Sequence, residues 1–258
     1  MEISGQGGEI AINAGLLRRV AELCRGRVPS RAGGRGRRGY EPWRLAALCA
    51  LKAALNLSFR AVAELAPAVV GIRPHHTTVW RAWLRMRRLA ESIARELAAP
   101  RGPSLLAADA TGLRSYRGPG FKLHVLYDVG GRRPVALRVT DAHASEARVL
   151  PDLLARVKCD GMLVADAAYF GRPQVLAAER AGLLPAIRPR RAPRGCRRRA
   201  WARRYEDLFR RLRDAYRLRA LVEGAVARLK ALVRWLVYYT RVDSADAHAQ
   251  WLHLALVA

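Results

Sequence analysis

A chain of 258 residues, 51% of them hydrophobic, is long enough to bury one or two cores and too apolar to be a disordered tail. Its 47 basic against 21 acidic residues leave a formal net charge of +26, so its partner is expected to be a polyanion, with nucleic acid the default. The longest apolar run, 45–57, is broken by Lys52 and too short for a bilayer, and residues 1–9 lack an apolar signal block, which argues against a membrane or exported protein.

The four cysteines, Cys24, Cys49, Cys159 and Cys196, form no Cys-x-x-Cys pair and read as isolated thiols of a cytoplasmic protein. A genome rich in G and C would also inflate Arg, but it would do so uniformly, whereas here the charge is clustered.

Residues 1–39 end in Arg31-Ala-Gly-Gly-Arg-Gly-Arg-Arg38, which packs no core and reads as a basic arm or linker. Residues 40–100 carry helical apolar spacing. Pro42 suits a first helical turn and predicts a helix to Leu55. Ser58 caps a second helix to about Leu65, the segment 70–74 is a turn, and Thr77 caps a third helix from Thr78 to about Leu97. These helices fit a helix-turn-helix with Thr78, Arg81 and Arg85 on the recognition helix, or an ordinary three-helix bundle. Trp80 and Trp83 are expected in its core.

Residues 101–258 have a different texture. Short apolar strands are predicted at 105–108, 121–127 and 134–140, with Gly130-Gly131 turning between the last two. A helix over 146–157, a strand over 162–165, a helix over 173–181 and a strand over 184–187 follow, and then a long helix from Tyr205 to Val237. The order β-β-β-α-β-α-β-α predicts a mixed α/β sheet with helical cover.

Three acids stand out. Asp109 and Asp166 each follow an apolar strand expected to be central, so both should emerge at one sheet edge, where open α/β sheets bind ligands. Carboxylates gathered there need a positive partner, and Mg²⁺ takes hard oxygen ligands while keeping positions open for phosphate and water. Glu223 lies on the long helix with Tyr216, Arg219 and Lys230 at offsets 0, 3, 7 and 14. At about 100° per residue, those four fall within an arc of about 60°. Leu218, Leu221, Val222, Val226, Leu229 and Val233 are expected to bury the other flank. Taken singly, a strand-end Asp is more often a turn or cap, and a charged helix face more often a solvated surface. Their co-occurrence in this order carries the signal.

Between Arg188 and Arg219 stand fourteen Arg, including Arg197, Arg198 and Arg199, against three acids, a one-signed concentration that suits a phosphate backbone. The six histidines show no metal-ligand spacing and read as structural.

In this arrangement the sequence resembles the DDE transposases of bacterial and archaeal insertion sequences. Asp109-x-Thr111 is similar to the first acidic motif, and Val164-Ala-Asp166-Ala-Ala-Tyr169 to the second with its aromatic three residues on. Tyr216-x2-Arg219-x3-Glu223-x6-Lys230 is similar to the third at full spacing, and Lys122-Leu-His124 through Pro134 to the second strand and hairpin. The resemblance covers about half the chain. It implies a ribonuclease H-like mixed sheet flanked by helices, preceded by a small all-α, helix-turn-helix-like domain. Asp109, Asp166 and Glu223 would bind two Mg²⁺ ions, with Mn²⁺ as a substitute. Tyr216, Arg219 and Lys230 would hold double-stranded DNA, and Arg219 and Lys230 would act on phosphates rather than on the metals. It further implies element ends and target DNA as partners, a homodimer or higher oligomer on DNA, and a nucleoid-associated place in the cytoplasm. The 57 positions from Asp166 to Glu223 are too few for the large β insertion of some relatives. The alternatives are a catalytically silent DNA-binding protein derived from a transposase, and a nuclease on the same fold.

Overall fold

A computed structural model describes residues 14–29, 39–115, 118–190, 200–233, 236 and 238–258. The basic arm at 31–38, Arg197, Arg198 and Arg199, and the expected end of the long helix at Val237 lie outside the described residues. The chain divides into two compact units, residues 1–94 with 247–258, and residues 95–246.

The first unit is helical. Its helices are α1 (Ala14–Arg27), α2 (Pro42–Ala54), α3 (Phe59–Val70), α4 (His76–Arg85) and most of α5 (Arg87–Ala98), with the later part of α11 (Val242–Val257). Pro42 opens α2, where its missing N–H is no loss. Ser58 caps α3 by accepting from Ala61 N at 3.0 Å. Gly71 ends α3 in the left-handed region at φ 65°, donating to Pro67 O at 3.2 Å.

Three expectations need correction here. The cap of α4 is His75 rather than Thr77, and the helix expected to run to Leu97 is two helices separated at Met86, whose backbone lies at φ −96°, ψ 4°. Trp80 is not core: it is 46% exposed. Val79, Ala82 and Trp83 form the buried stripe at i, i+3 and i+4, which turns Trp80 outward beside Arg81. Trp83 meets Phe59 edge-on at 5.6 Å and stacks on Trp251 at 6.3 Å, and Trp251 Nε1 donates to Trp83 O at 3.0 Å.

The second unit holds a five-stranded sheet among the described residues, ordered β3-β2-β1-β4-β5. Its strands are β1 (Ser104–Ser115), β2 (Gly118–Asp128), β3 (Arg133–Asp141), β4 (Gly161–Ala165) and β5 (Leu183–Ile187). β1 pairs antiparallel with β2, and β2 with β3, whereas β4 runs parallel to both β1 and β5. Helices α6 (Glu146–Leu154), α7 (Arg172–Arg180), α8 (Ala200–Arg211), α9 (Arg213–Tyr216) and α10 (Ala220–Leu232) complete the unit. The core joins Leu106 and Ala108 of β1 to Leu163 and Ala165 of β4, with Leu150 and Leu153 of α6 and Val175 of α7. Tyr205 of α8 closes the β5 edge: its hydroxyl accepts from Ile187 N at 2.8 Å and lies 2.8 Å from Ile187 O, satisfying backbone that no strand pairs. This mixed sheet with helical cover, preceded in the chain by an all-helical region, is the ribonuclease H-like arrangement expected.

The register between β1 and β4 is set at its first pair. Gly161 lies opposite Ser104, at φ 149°, and an added Cβ would stand 2.8 Å from Ser104 N and 2.9 Å from its carbonyl carbon. Only glycine accommodates that approach in that backbone region.

The long helix expected from Tyr205 is broken. α8 and α9 precede a 3₁₀ turn, Arg217–Arg219, and α10 begins after it. Val222, Ala225, Val226, Leu229 and Val233 are buried, one helical stripe. Leu218 and Leu221 are exposed, Leu221 by 62%, because that stripe turns them away from β1, on which α10 packs.

Candidate active site

Ala108 of β1 pairs with Ala165, the last residue of β4, so the next residue along each chain is an aspartate, Asp109 or Asp166. Asp109 does not close its strand, as the sequence suggested. β1 continues past β4 because β2 supplies its partner, and Asp109 pairs with Val125 there. The two acids each follow the last registered pair, where β4 stops and, among the described residues, leaves one flank of β1 without a strand.

The turn after β4 is tightly fixed. Asp166 Oδ1 accepts from Ala168 N at 2.8 Å, capping the 3₁₀ turn Ala167–Tyr169. Arg190 donates to the carbonyls of Ala167 and Ala168, both at 2.8 Å. Within the Arg-rich stretch, then, Arg190 fastens the segment that presents Asp166. Sequence reasoning missed that task, because nothing in a run of arginines distinguishes a structural guanidinium from one aimed at phosphate.

The electrostatics centre on Arg219. Its Nη2 donates to Asp109 Oδ1 at 3.4 Å, and its Nη1 lies 3.8 Å from Glu223 Oε1. Burial pushes the Asp109 carboxyl above its usual range; Arg219 and the Ala110 backbone pull it down, and Asp166 adds to the rise. Burial opposes the Arg219 cation, yet Asp109, Tyr216 and Asp166 together raise its pKa.

Glu223, in the first turn of α10, has a side chain 66% exposed. Lys230, in the last turn of α10, is exposed. Tyr216, at the end of α9, meets Phe209 edge-on at 5.3 Å. The structure therefore joins Asp109, Asp166, Arg219 and Glu223 through register and charge. Among the described residues no three His, Cys, Asp or Glu side chains are close enough to share a metal ion.

The donor set nonetheless fits a hard divalent cation. Asp109 and Asp166 offer carboxylate oxygens at adjacent register positions, and Arg219 already places positive charge between Asp109 and Glu223. A cation shared by the acids would take over that role from the guanidinium.

Around the pair, Lys122 Nζ bonds Glu146 Oε1 at 3.3 Å and Ala144 O at 3.2 Å. His124, fully buried, bonds Thr140 Oγ1 at 2.9 Å; burial, then Lys122, lowers its pKa to about 4. It is neutral at physiological pH. In the helical unit, Arg81 and Arg85 are exposed on α4 together with Trp80. Among the described residues no helix is long and apolar enough to cross a membrane.

A search among curated proteins finds no match. The family model of the transposase DDE domain matches residues 100–258, which include the whole sheet, both aspartates, Arg219 and α10. With well over half its length matched, and with the expected sheet and acidic register in place, the chain belongs to the transposase DDE domain family.

Proposed function

We propose that the chain cuts and joins DNA as the transposase of an insertion sequence, using Asp109, Asp166 and Glu223 to hold divalent metal, Mg²⁺ or in its place Mn²⁺. One observation supports this reading: Ala108 pairs with Ala165, the residue before each aspartate, and Arg219 ties Asp109 to Glu223. When bound, two such ions supply charge stabilisation to the phosphoryl oxygens and an activated water. The chain's own residues set where this happens. Asp109 and Asp166 form the pair, and Glu223 completes it as Arg219 turns from the acids to a phosphate. In hydrolysis the water oxygen bonds to phosphorus as the P–O3′ bond breaks, leaving a 5′-phosphate and a 3′-hydroxyl; that hydroxyl then attacks a target phosphodiester, forming one P–O bond and releasing the target's own 3′-hydroxyl.

Tyr216, Arg219 and Lys230 line the approach of the DNA backbone, with Arg197, Arg198 and Arg199 adding phosphate contacts. Arg81 and Arg85 on α4 read the element ends, with residues 40–100 as the recognition domain and 101–258 as the catalytic one. Two ends must be held at once, so the working form is a dimer or larger on double-stranded DNA, acting at the nucleoid in the cytoplasm. The test is product analysis. With Mg²⁺, the protein should join a labelled duplex bearing the sequences that flank its gene to a target plasmid. Nicks without joined product would make it a nuclease, and binding without either product a silent DNA-binding protein; each overturns the proposal.

A further inference from the structure

Trp80 is 46% exposed on α4, whereas Trp83, one turn on, is 1% exposed. The buried stripe of the helix, Val79, Ala82 and Trp83, is the side that packs, and α4 packs on α2 and α3. The opposite face carries Thr77, Trp80, Arg81 and Leu84 at i, i+3, i+4 and i+7, all exposed or partly exposed. The Thr77 hydroxyl is engaged by His75 Nδ1 at 2.8 Å, so the apolar part of this face is Trp80 with Leu84. Its surroundings carry one sign of charge. Residues 65–90 contain five Arg and no Asp or Glu, and Arg60, Arg73, Arg81 and Arg85 are exposed.

That combination selects an occupant. A second copy of the face would set like charges against one another, whereas a polyanion neutralises them. The polyanion must also offer the indole something apolar. The major groove of duplex DNA admits a helix, and of the base edges displayed there only thymine bears an apolar group, its C5-methyl. Pressed on any other edge, the indole would cover donors and acceptors without replacing their hydrogen bonds. We propose that Trp80 is a specificity-determining residue, which packs on the C5-methyl of a thymine in the element ends while Arg81 beside it holds the DNA. The inference rests on the reading that α4 engages the element ends, and the test separates the two.

Duplexes bearing the sequences that flank the gene are made in two forms, one with thymine and one with uracil throughout, which lacks only the methyl. The full chain without divalent metal is titrated with each, as wild type, Trp80→Ala, Trp80→Gln and Arg81→Ala. Thermal unfolding and sedimentation mass are recorded for every protein without DNA. The wild type should bind the thymine duplex about fourfold more tightly for each methyl contacted. Both Trp80 variants should bind the two duplexes alike while keeping the wild-type Tm, a result that a merely structural indole would not give. Equal wild-type affinity for the two duplexes, or a thymine preference that both Trp80 variants retain, overturns the role of Trp80. If Arg81→Ala still weakens binding in that case, α4 remains on the DNA; wild-type affinity in Arg81→Ala as well removes the helix from the interface altogether. A wild-type mass that falls in both Trp80 variants assigns the indole to a contact between copies and also overturns the proposal.

Discussion

Arg219 donates from Nη2 to Asp109 Oδ1 at 3.4 Å while its Nη1 lies 3.8 Å from Glu223 Oε1, so one guanidinium neutralises two acids from distant parts of the chain. Asp166 adds a third negative charge that raises the Arg219 pKa.

Arg219→Ala should therefore act on metal and DNA in opposite directions. Removing the cation leaves the Ala110 backbone alone to offset repulsion from Asp166 at Asp109, so Mn²⁺ should bind severalfold more tightly by calorimetry. Duplex affinity should fall, and metal-free stability should drop by about 1 kcal/mol, since the pair is only partly screened from water. Unchanged metal affinity would show that Arg219 does not compete for the acids.

Asp109 links the site to pH. Burial is the largest cause of its raised pKa, so its folded value exceeds its unfolded one. A raised acid favours the protonated folded state, and the stability it contributes is lost as pH rises through the folded pKa. Asp109→Asn removes that titration. In urea unfolding of the metal-free protein, the variant should gain on the wild type as pH rises above about 4, the ordinary aspartate range, with little difference below it. A gap that shrinks with rising pH would mean the ion pair with Arg219 outweighs burial.

Gly161→Ala tests the register that aligns the acids. Its Cβ would press on the Ser104 backbone at a φ of 149°. The substitution should destabilise the chain by about 2–4 kcal/mol, and cleavage should fall further than the folded fraction does. Wild-type stability would show that the strands adjust without the glycine.

The strand and helix order from residue 105 to 187 was legible because apolar runs there are short and punctuated by Gly130, Gly131 and Pro173. The extent of β1 was not. Ala110-Thr111-Gly112 carry no strand signal of their own, and β2, across a hairpin, is what holds them extended. No Gly or Pro lies between Tyr205 and Glu223, so the 3₁₀ turn at Arg217–Arg219 left no mark in the residues. The outward turn of Trp80 was hidden for another reason: a tryptophan counts as apolar in any periodicity, and only the packing of Trp83 against Phe59 and Trp251 decides which of the two is core. The acids themselves were visible as residues, whereas the guanidinium joining them belongs to the tertiary fold.

The excess of 26 positive charges should make duplex binding steeply salt-dependent. Each neutralised phosphate contributes about −0.9 to the slope of log affinity against log salt, and a slope of about −5 or steeper is expected. A flat plot would remove nucleic acid as the partner.

The most direct measurement is Mg²⁺-dependent nicking of a plasmid carrying the element ends, by the wild type and by Asp109→Asn, Asp166→Asn and Glu223→Gln. Each variant should lose more than about a hundredfold in rate, the several kcal/mol that a misplaced metal ligand costs the transition state, while binding the duplex as tightly as the wild type. Near-wild-type nicking by any one of the three would contradict the assignment of that acid to the site.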